Sequence, residues 1–493
     1  MTRLPISPTA ALAISFAMIP ATLRGQDTPT VIIQRAATAM GGAANLRGLT
    51  NVTLEFHSAT FGLGQEETPM SPARATFVIG RNVTDYARSR GLFTQQSRAV
   101  TGVMTQARRV VTTTAGMTVI NNNAPTADNP NAVMNALTEF RSRPERMIVF
   151  ALDNPAQLSA VTPKRIRGEL MDGVRIGTAP DAPVYWFDRL SHLPVGNERI
   201  TDDPILGDRS TLTIYTRWED AGGVLFPRQI DTEVNGRMQQ HLLNTAVTIN
   251  AALNETDFAI PDSLLARAQP VPATAPPPAP ITVTLAELGP NVWRAEGGSH
   301  HSLVVRQGNA LLVVEAPQSA TRSKAVLDTL RARFPNVPVR TFVPTHHHWD
   351  HTGGVREYLA QGIEAIVHAR NVDFVRGIGA ARKTVSPDAL SRGGRVPNVR
   401  AANPVTILGS GESAVQLIEL PTAHAQGMLA AYVPSLRILF VSDVLTPGPT
   451  LAAAGSREIV AMVRARGITV DRVVGGHGGI AAWADVERAA ATR

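Results

Sequence analysis

The sequence predicts an α+β protein in two unlike parts, an antiparallel β-rich N-terminal region and a C-terminal region of alternating strands and helices. Three observations carry this expectation. Residues 28–265 hold short apolar alternations separated by hairpin signals. Residues 270–280 read PVPATAPPPAP, six prolines in eleven positions, a composition that favours polyproline II and cannot enter a helix or sheet core. Beyond residue 281, apolar strands alternate with amphipathic stretches of helical period. The expected division is a signal segment at 1–25, a β-rich accessory domain at 28–265, a proline-rich linker at 266–280 and a second domain at 281–493. A strap packed on one domain is the other reading of the proline run.

Taken in order, Arg3 and the apolar stretch Ala10–Ala21 read as an export signal with a cut near Gly25 or Gln26. The stretch is shorter than the about 20 apolar residues a spanning helix needs, and nothing later in the chain is long and apolar enough to span a bilayer. The expected destination is periplasmic or secreted, with an uncleaved anchor as the alternative. A helix over Pro29–Met40 is closed by Gly41-Gly42. Asn235-Gly236 between Ile230–Val234 and Met238–Leu243 is a two-residue hairpin, and Val184–Phe187 turns back through Asp188–His192 into Leu193–Val195. A helical interruption is expected around Asn131–Leu152. The early helix and successive hairpins loosely resemble the curved half-barrel of outer-membrane lipoprotein carriers and related envelope proteins. His57, His192 and His241 lie here without metal-ligand spacing and read as surface or structural residues.

In the second part, strands are expected at Ala310–Val314 and Val339–Val343, with a helix over Thr321–Phe334 between them carrying Val326, Leu330 and Phe334 on one stripe. Gly353-Gly354 opens another helix, and later strands fall at Ala414–Glu419, Met428–Val433, Ile438–Val441 and Val473–Val474.

Composition narrows the chemistry. With 44% hydrophobic and 18% charged residues over 493 positions, the chain can bury substantial cores. The formal charge of +7 is almost wholly arginine, the lysines being Lys164, Lys324 and Lys383, and it is scattered without a nucleic-acid stripe. The absence of cysteine removes disulfides, thiolate ligands and a thiol nucleophile. Any metal must be held by His, Asp or Glu.

Nine of the twelve histidines fall after residue 299, and four stand within the six positions His346–His351. His346 and His348, two apart on an extended turn, can point the same way, while Asp350 and His351 can face a second ion. His424 and His477 can complete two sites from other loops, and Asp443, after the apolar strand ILFVS, can bridge them.

The run Thr345-His-His-His-Trp-Asp-His-Thr-Gly-Gly354 is similar to the His-x-His-x-Asp-His signature of the metallo-β-lactamase superfamily. His424 in PTAHAQG, Asp443 in LFVSDVL and His477 in VVGGHGG follow in the same order. The resemblance covers about Ile281 to Arg493 and implies an αββα sandwich with its metals at one edge of the two sheets. It implies two zinc ions per chain, the first on His346, His348 and His424, the second on Asp350, His351 and His477, with Asp443 bridging. Asp350 and Asp443 would orient a zinc-bridged hydroxide that attacks an ester, thioester or lactone. True β-lactamases lack the bridging aspartate, and the flavodiiron branch has Glu where His348 stands, so both are disfavoured. Other readings are a β-lactam hydrolase, a single-iron sulfur dioxygenase-like enzyme, and a nonenzymatic envelope protein that binds a lipid or polymer. The expected partner is a small-molecule substrate, with no nucleic acid and no membrane span; the sequence leaves the oligomeric state open.

The family pattern has Asp after the early strand, where this chain reads Val314-Glu315-Ala316-Pro317. His347 fills the variable slot and is expected to point away from the metals. His300 and His301 read as a solvated turn, with substrate contact as the alternative, and His368 as a strand-end residue. Arg382–Arg395 reads as a polar loop, with a cationic lid over an anionic substrate as the sharper version.

Overall fold

In a computed structural model, residues 27–99, 102–179, 181–274, 280–403 and 405–492 are described. The export signal therefore lies outside the described residues, as do positions 275–279 of the proline run. Among the described residues no helix is long and apolar enough to cross a membrane.

The N-terminal region is built on a sheet of thirteen strands, antiparallel throughout. One meander runs from Asn51–Gly62 outward to Thr126–Ala127, and another from Leu158–Ile166 to Arg237–Ile249. They join where Asn51–Gly62 pairs with Arg237–Ile249. Asn235, at φ 46°, and Gly236, at φ 79°, form the expected two-residue turn, since a primed turn needs left-handed backbone at both positions. The helix Pro29–Ala39 starts on the Thr28 hydroxyl, which accepts from Val31 N, and ends before Gly41 and Gly42, both at positive φ. Its face Ile32, Ile33, Ala36 and Ala37 packs with Ile148 and Val149 against Val174, Tyr185, Phe187 and Phe226 of the sheet. The helices Pro130–Ser142 and Pro144–Asp153 account for the expected interruption. Val271, in the expected linker, packs against Val111, Val133 and Phe140, so this part of the segment lies on the N-terminal region.

The C-terminal region is an αββα sandwich. A seven-stranded sheet is antiparallel from Thr284–Gly289 to Ala310–Val314 and parallel onward through Val339–Val343, Glu364–His368 and Val399–Ala402. A six-stranded sheet faces it, with Ile438–Ser442 and Arg472–Gly475 as its parallel pair. Between the sheets lie Leu303, Val305, Leu312, Val314 and Val343 on one side and Leu417, Leu429, Ala431, Phe440 and Val474 on the other, all buried. Each of these valine, leucine and phenylalanine side chains contributes roughly 1.5–3 kcal/mol of transfer free energy. Ala320–Arg333 covers the outer face of the first sheet through Val326, Leu327 and Leu330, and Ala453–Arg466 covers the second through Ile459 and Val463.

One buried cation fastens the helix Ala320–Arg333 to the site. Arg322, fully buried, donates from Nε to Gly297 O at 3.0 Å and from one terminal nitrogen to Ala295 O at 3.0 Å and His300 O at 3.2 Å. It thereby fixes the turn that carries His300. Arg322→Met should lower stability by about 2–3 kcal/mol, because the carbonyls lose charged donors and stay buried. A urea midpoint equal to that of the wild type, at equal slope, would refute this.

Candidate metal centre

The chemistry-bearing side chains meet because parallel strands end at one edge, the place where α/β sheets leave their loops free. Ala310–Val314 ends on Glu315, Val339–Val343 runs through Pro344 into the histidine run, Ile438–Ser442 delivers Asp443, and Arg472–Gly475 precedes His477. Glu315 at φ 85° and Ser442 at φ 50° turn the chain sharply out of their strands.

All seven residues expected from sequence converge there, in two groups. The donor atoms of His346, His348, His424 and Asp443 lie within 4.8 Å of one another, as do those of His300, Asp350, His351 and His477. Asp443 stands between them. Its Oδ1 is 2.8 Å from His351 Nε2 and 3.0 Å from His477 Nε2, while its Oδ2 is 3.4 Å from His424 Nε2. His424 Nε2 is in turn 3.4 Å from His346 Nε2.

Outer hydrogen bonds select which nitrogen of each ring faces inward. His346 Nδ1 donates to the Thr345 hydroxyl at 3.0 Å, and that hydroxyl donates to Glu315. His351 Nδ1 donates to Glu315 Oε2 at 3.2 Å, and His477 Nδ1 donates to Ser299 O at 2.9 Å. His348 is reversed: its Nε2 donates to Glu66 O at 3.0 Å, leaving Nδ1 to face the group. His348 Nδ1 is buried and makes no hydrogen bond among the described residues, while His351 Nε2 and Asp443 Oδ1, also buried, face each other at 2.8 Å. Buried donors of this kind, imidazole nitrogen with carboxylate oxygen, fit divalent ions such as zinc.

The electrostatics agree with that fit. Burial, then the neighbouring His351 and His348, pushes His346 well below the ordinary imidazole range. Burial and His424 take His348 down to about 4. Burial also opposes charge on His351, but Glu315 and Asp443 outweigh it and push the group up to about 10. Asp443 stays far below the usual carboxylate range: burial acts against this, and His351, His424 and His477 overcome it. Asp350 is lowered in the same way, burial being overcome by His300 and His351. Two carboxylates held ionised beside His346 and His348, both held neutral, favour a cation, and an ion there would take the place of the proton that Glu315 and Asp443 now hold on His351.

Several expectations change here. His300 is not in a solvated turn. Only 8% exposed, it packs its ring 4.0 Å from that of His477 and 4.9 Å from that of His351, with Nε2 3.4 Å from Asp350 Oδ2. His301 is partly buried, and burial lowers its pKa. The start of the Arg382–Arg395 segment is tied down rather than loose. Lys383 is buried in an ion pair with Asp202, and Asp208 accepts from Thr384 N at 2.6 Å and Val385 N at 3.1 Å, which docks the segment on the N-terminal region. His347 lies outside both groups and donates from Nε2 to Glu66 O at 2.9 Å. His368 ends its strand and accepts from Arg370 N at 3.2 Å. Glu315, in place of aspartate, reaches Thr345, Ser442 and His351 together.

Residues 295–477, within the C-terminal region, match the profile of the Metallo-beta-lactamase superfamily, so this region carries a domain of that kind. Among characterised proteins, the chain is similar to the 2,4-dinitroanisole O-demethylase subunit alpha of Nocardioides sp. (strain JS1661), 26% identical over 160 residues, which is 32% of this chain and 45% of that protein. The match thus spans less than half of the relative's length. Among solved structures, the metallo-beta-lactamase from Pontibacter korlensis is 15% identical with a TM-score of 0.34, covering 42% of this chain and 96% of that one. TMB-1 is 16% identical with a TM-score of 0.33, covering 42% and 95%.

Proposed function

We propose that this chain is an exported hydrolase that works with two divalent ions, zinc being the expected metal, on a carboxylic ester, thioester or lactone. The observation that carries the reading is Asp443, with one carboxylate oxygen turned to each histidine group. His346, His348 and His424 would hold one ion, Asp350, His351 and His477 the other, and Asp443 would touch both. Bound there, such ions supply Lewis acidity and lower the pKa of water toward neutrality.

The chain's own part is orientation. Glu315 fixes His351 directly and His346 through Thr345, so both present Nε2 inward. Asp350, half-exposed, accepts from Gln65 Nε2 at 2.9 Å on Oδ1, which leaves Oδ2 toward His300 and His351. Its ionised carboxylate can hold the proton side of a reacting water toward the cavity mouth. His424 and His477 are partly exposed, so the site meets solvent on their side. Support for export lies in Arg3, the apolar Ala10–Ala21 and the small residues leading to a cut near Gly25 or Gln26.

The test is metal content measured with a panel of esters, thioesters, lactones, phosphodiesters and β-lactams. The O-demethylase relative adds 2,4-dinitroanisole to the panel. Dialysis against a chelator should remove hydrolysis, and about two equivalents of zinc per chain should restore it. Activity that survives chelation, or a protein purified with iron and no zinc, would overturn the zinc-hydrolase reading.

A further inference from the structure

The N-terminal region enters the metal centre. The connection between strands Asn51–Gly62 and Arg74–Asp85 reaches across to the histidine run and grips it at successive positions. Gly64 O accepts from Trp349 N at 3.2 Å. Gln65 Nε2 donates to Asp350 Oδ1 at 2.9 Å. Glu66 O accepts from both His347 Nε2 and His348 Nε2, at 2.9 and 3.0 Å. Glu67 O accepts from Gln426 N at 2.8 Å, and Arg74 donates to Ala423 O at 3.0 Å and His424 O at 3.3 Å. One segment thus holds both the histidine run and the turn that carries His424.

The segment is stiff by construction. The Glu66 carboxylate, 2% exposed, accepts from Gly64 N at 2.8 Å and pairs with Arg237 at the start of the last strand of the N-terminal sheet. Gly64 has φ 86°, and a Cβ there would lie 2.3 Å from Trp349 Cδ2, so the close approach needs glycine. The Glu66–Arg237 pair therefore sets where the Glu66 carbonyl sits. That carbonyl decides which nitrogen of His348 is free, since a ring that donates from Nε2 can offer only Nδ1 inward.

We propose that the 63–73 connection is a working part of the metal site, with Arg237 and Glu66 positioning His348, and Gln65 positioning Asp350. This rests on the two-ion reading of the site. It makes the N-terminal region a component of the centre, whose removal would leave His348 without its orienting acceptor.

The experiment uses the full chain and reads metal binding, independent of any substrate. Zinc affinity is measured by competition with a chromogenic chelator, and site geometry by the visible spectrum of the cobalt(II)-loaded protein. Arg237→Gln and Gln65→Ala are each expected to weaken zinc binding by roughly 10–100-fold and to alter the cobalt bands, as loss of an outer partner of a ligand does. Arg237→Lys should recover most of the affinity. Gln65→Ala changes an exposed side chain, so it decides the matter should Arg237→Gln not fold. If wild type and both variants bind zinc equally, with identical cobalt spectra, the positioning role is wrong while the metal site stands. If wild type binds neither ion, the metal reading falls and takes this inference with it.

Discussion

Asp443→Ala is expected to cost the enzyme about 10³-fold or more in kcat/KM, equivalent to about 4 kcal/mol of transition-state stabilisation. The same change should reduce bound zinc from two equivalents toward one. Asp443 turns one carboxylate oxygen to each group, with Oδ1 at His351 and His477 and Oδ2 at His424. Its removal leaves each group with imidazole donors, and only Asp350 as a carboxylate, so the charge that offsets two dications is halved. Asp443→Asn separates charge from shape, because the amide keeps an oxygen toward one group and turns a donor to the other. Both variants should lose activity with little change in fold, as the residue lies at a loop mouth rather than in the core between the sheets. Metal content, circular dichroism and kcat/KM on the best substrate of the panel check this together. Two full equivalents of zinc and undiminished turnover in Asp443→Ala would sink the bridging role.

Much of this centre is legible in the sequence because its ligands are local. His346, His348, Asp350 and His351 share one strand-end turn, and hydrophobic periodicity locates the strands that deliver Asp443 and His477. The sandwich follows from the same pattern: runs such as Leu311–Val314 and Ile438–Val441 are apolar throughout because both faces of their strands are covered. What stays hidden is contact between distant residues. Gln65 and Glu66 meet the histidine run from 285 and 282 positions away, through a backbone carbonyl and one amide, and neither has a composition signature. His300 reads as a turn residue until Arg322 is seen holding that turn by its carbonyls. Lys383 reads as part of a polar loop, and its burial against Asp202 has no local signal. The extent of the N-terminal sheet is also beyond local reading, since the pairing of Asn51–Gly62 with Arg237–Ile249 closes two meanders across nearly the whole region.

Glu315 bears the second large effect, and it separates stability from metal binding. The residue is fully buried and at φ 85°, a conformation that costs a non-glycine residue about 1–2 kcal/mol, so its carboxylate must return more than that. It accepts from Thr345, from Ser442 Oγ at 2.8 Å and from His351 Nδ1 at 3.2 Å. Glu315→Ala strands three buried donors, one on a ring that Glu315 helps keep charged, and should destabilise the metal-free protein by about 3–5 kcal/mol. At about 3 °C per kcal/mol for a region of this size, Tm should fall by roughly 10 °C. Glu315→Gln keeps the volume and one acceptor, so most of the stability should remain. Its amide hydrogens, however, now meet a hydroxyl or ring nitrogen that formerly donated, which frees His351 to rotate. Zinc affinity should therefore drop by about 10–100-fold in Glu315→Gln while Tm of the metal-free protein moves only a few degrees. Equal Tm and equal zinc affinity across wild type, Gln and Ala would show that the strained glutamate supports nothing. A fall in both for Ala, and in affinity alone for Gln, would show that Glu315 holds His346 and His351 in place from its one pair of carboxylate oxygens.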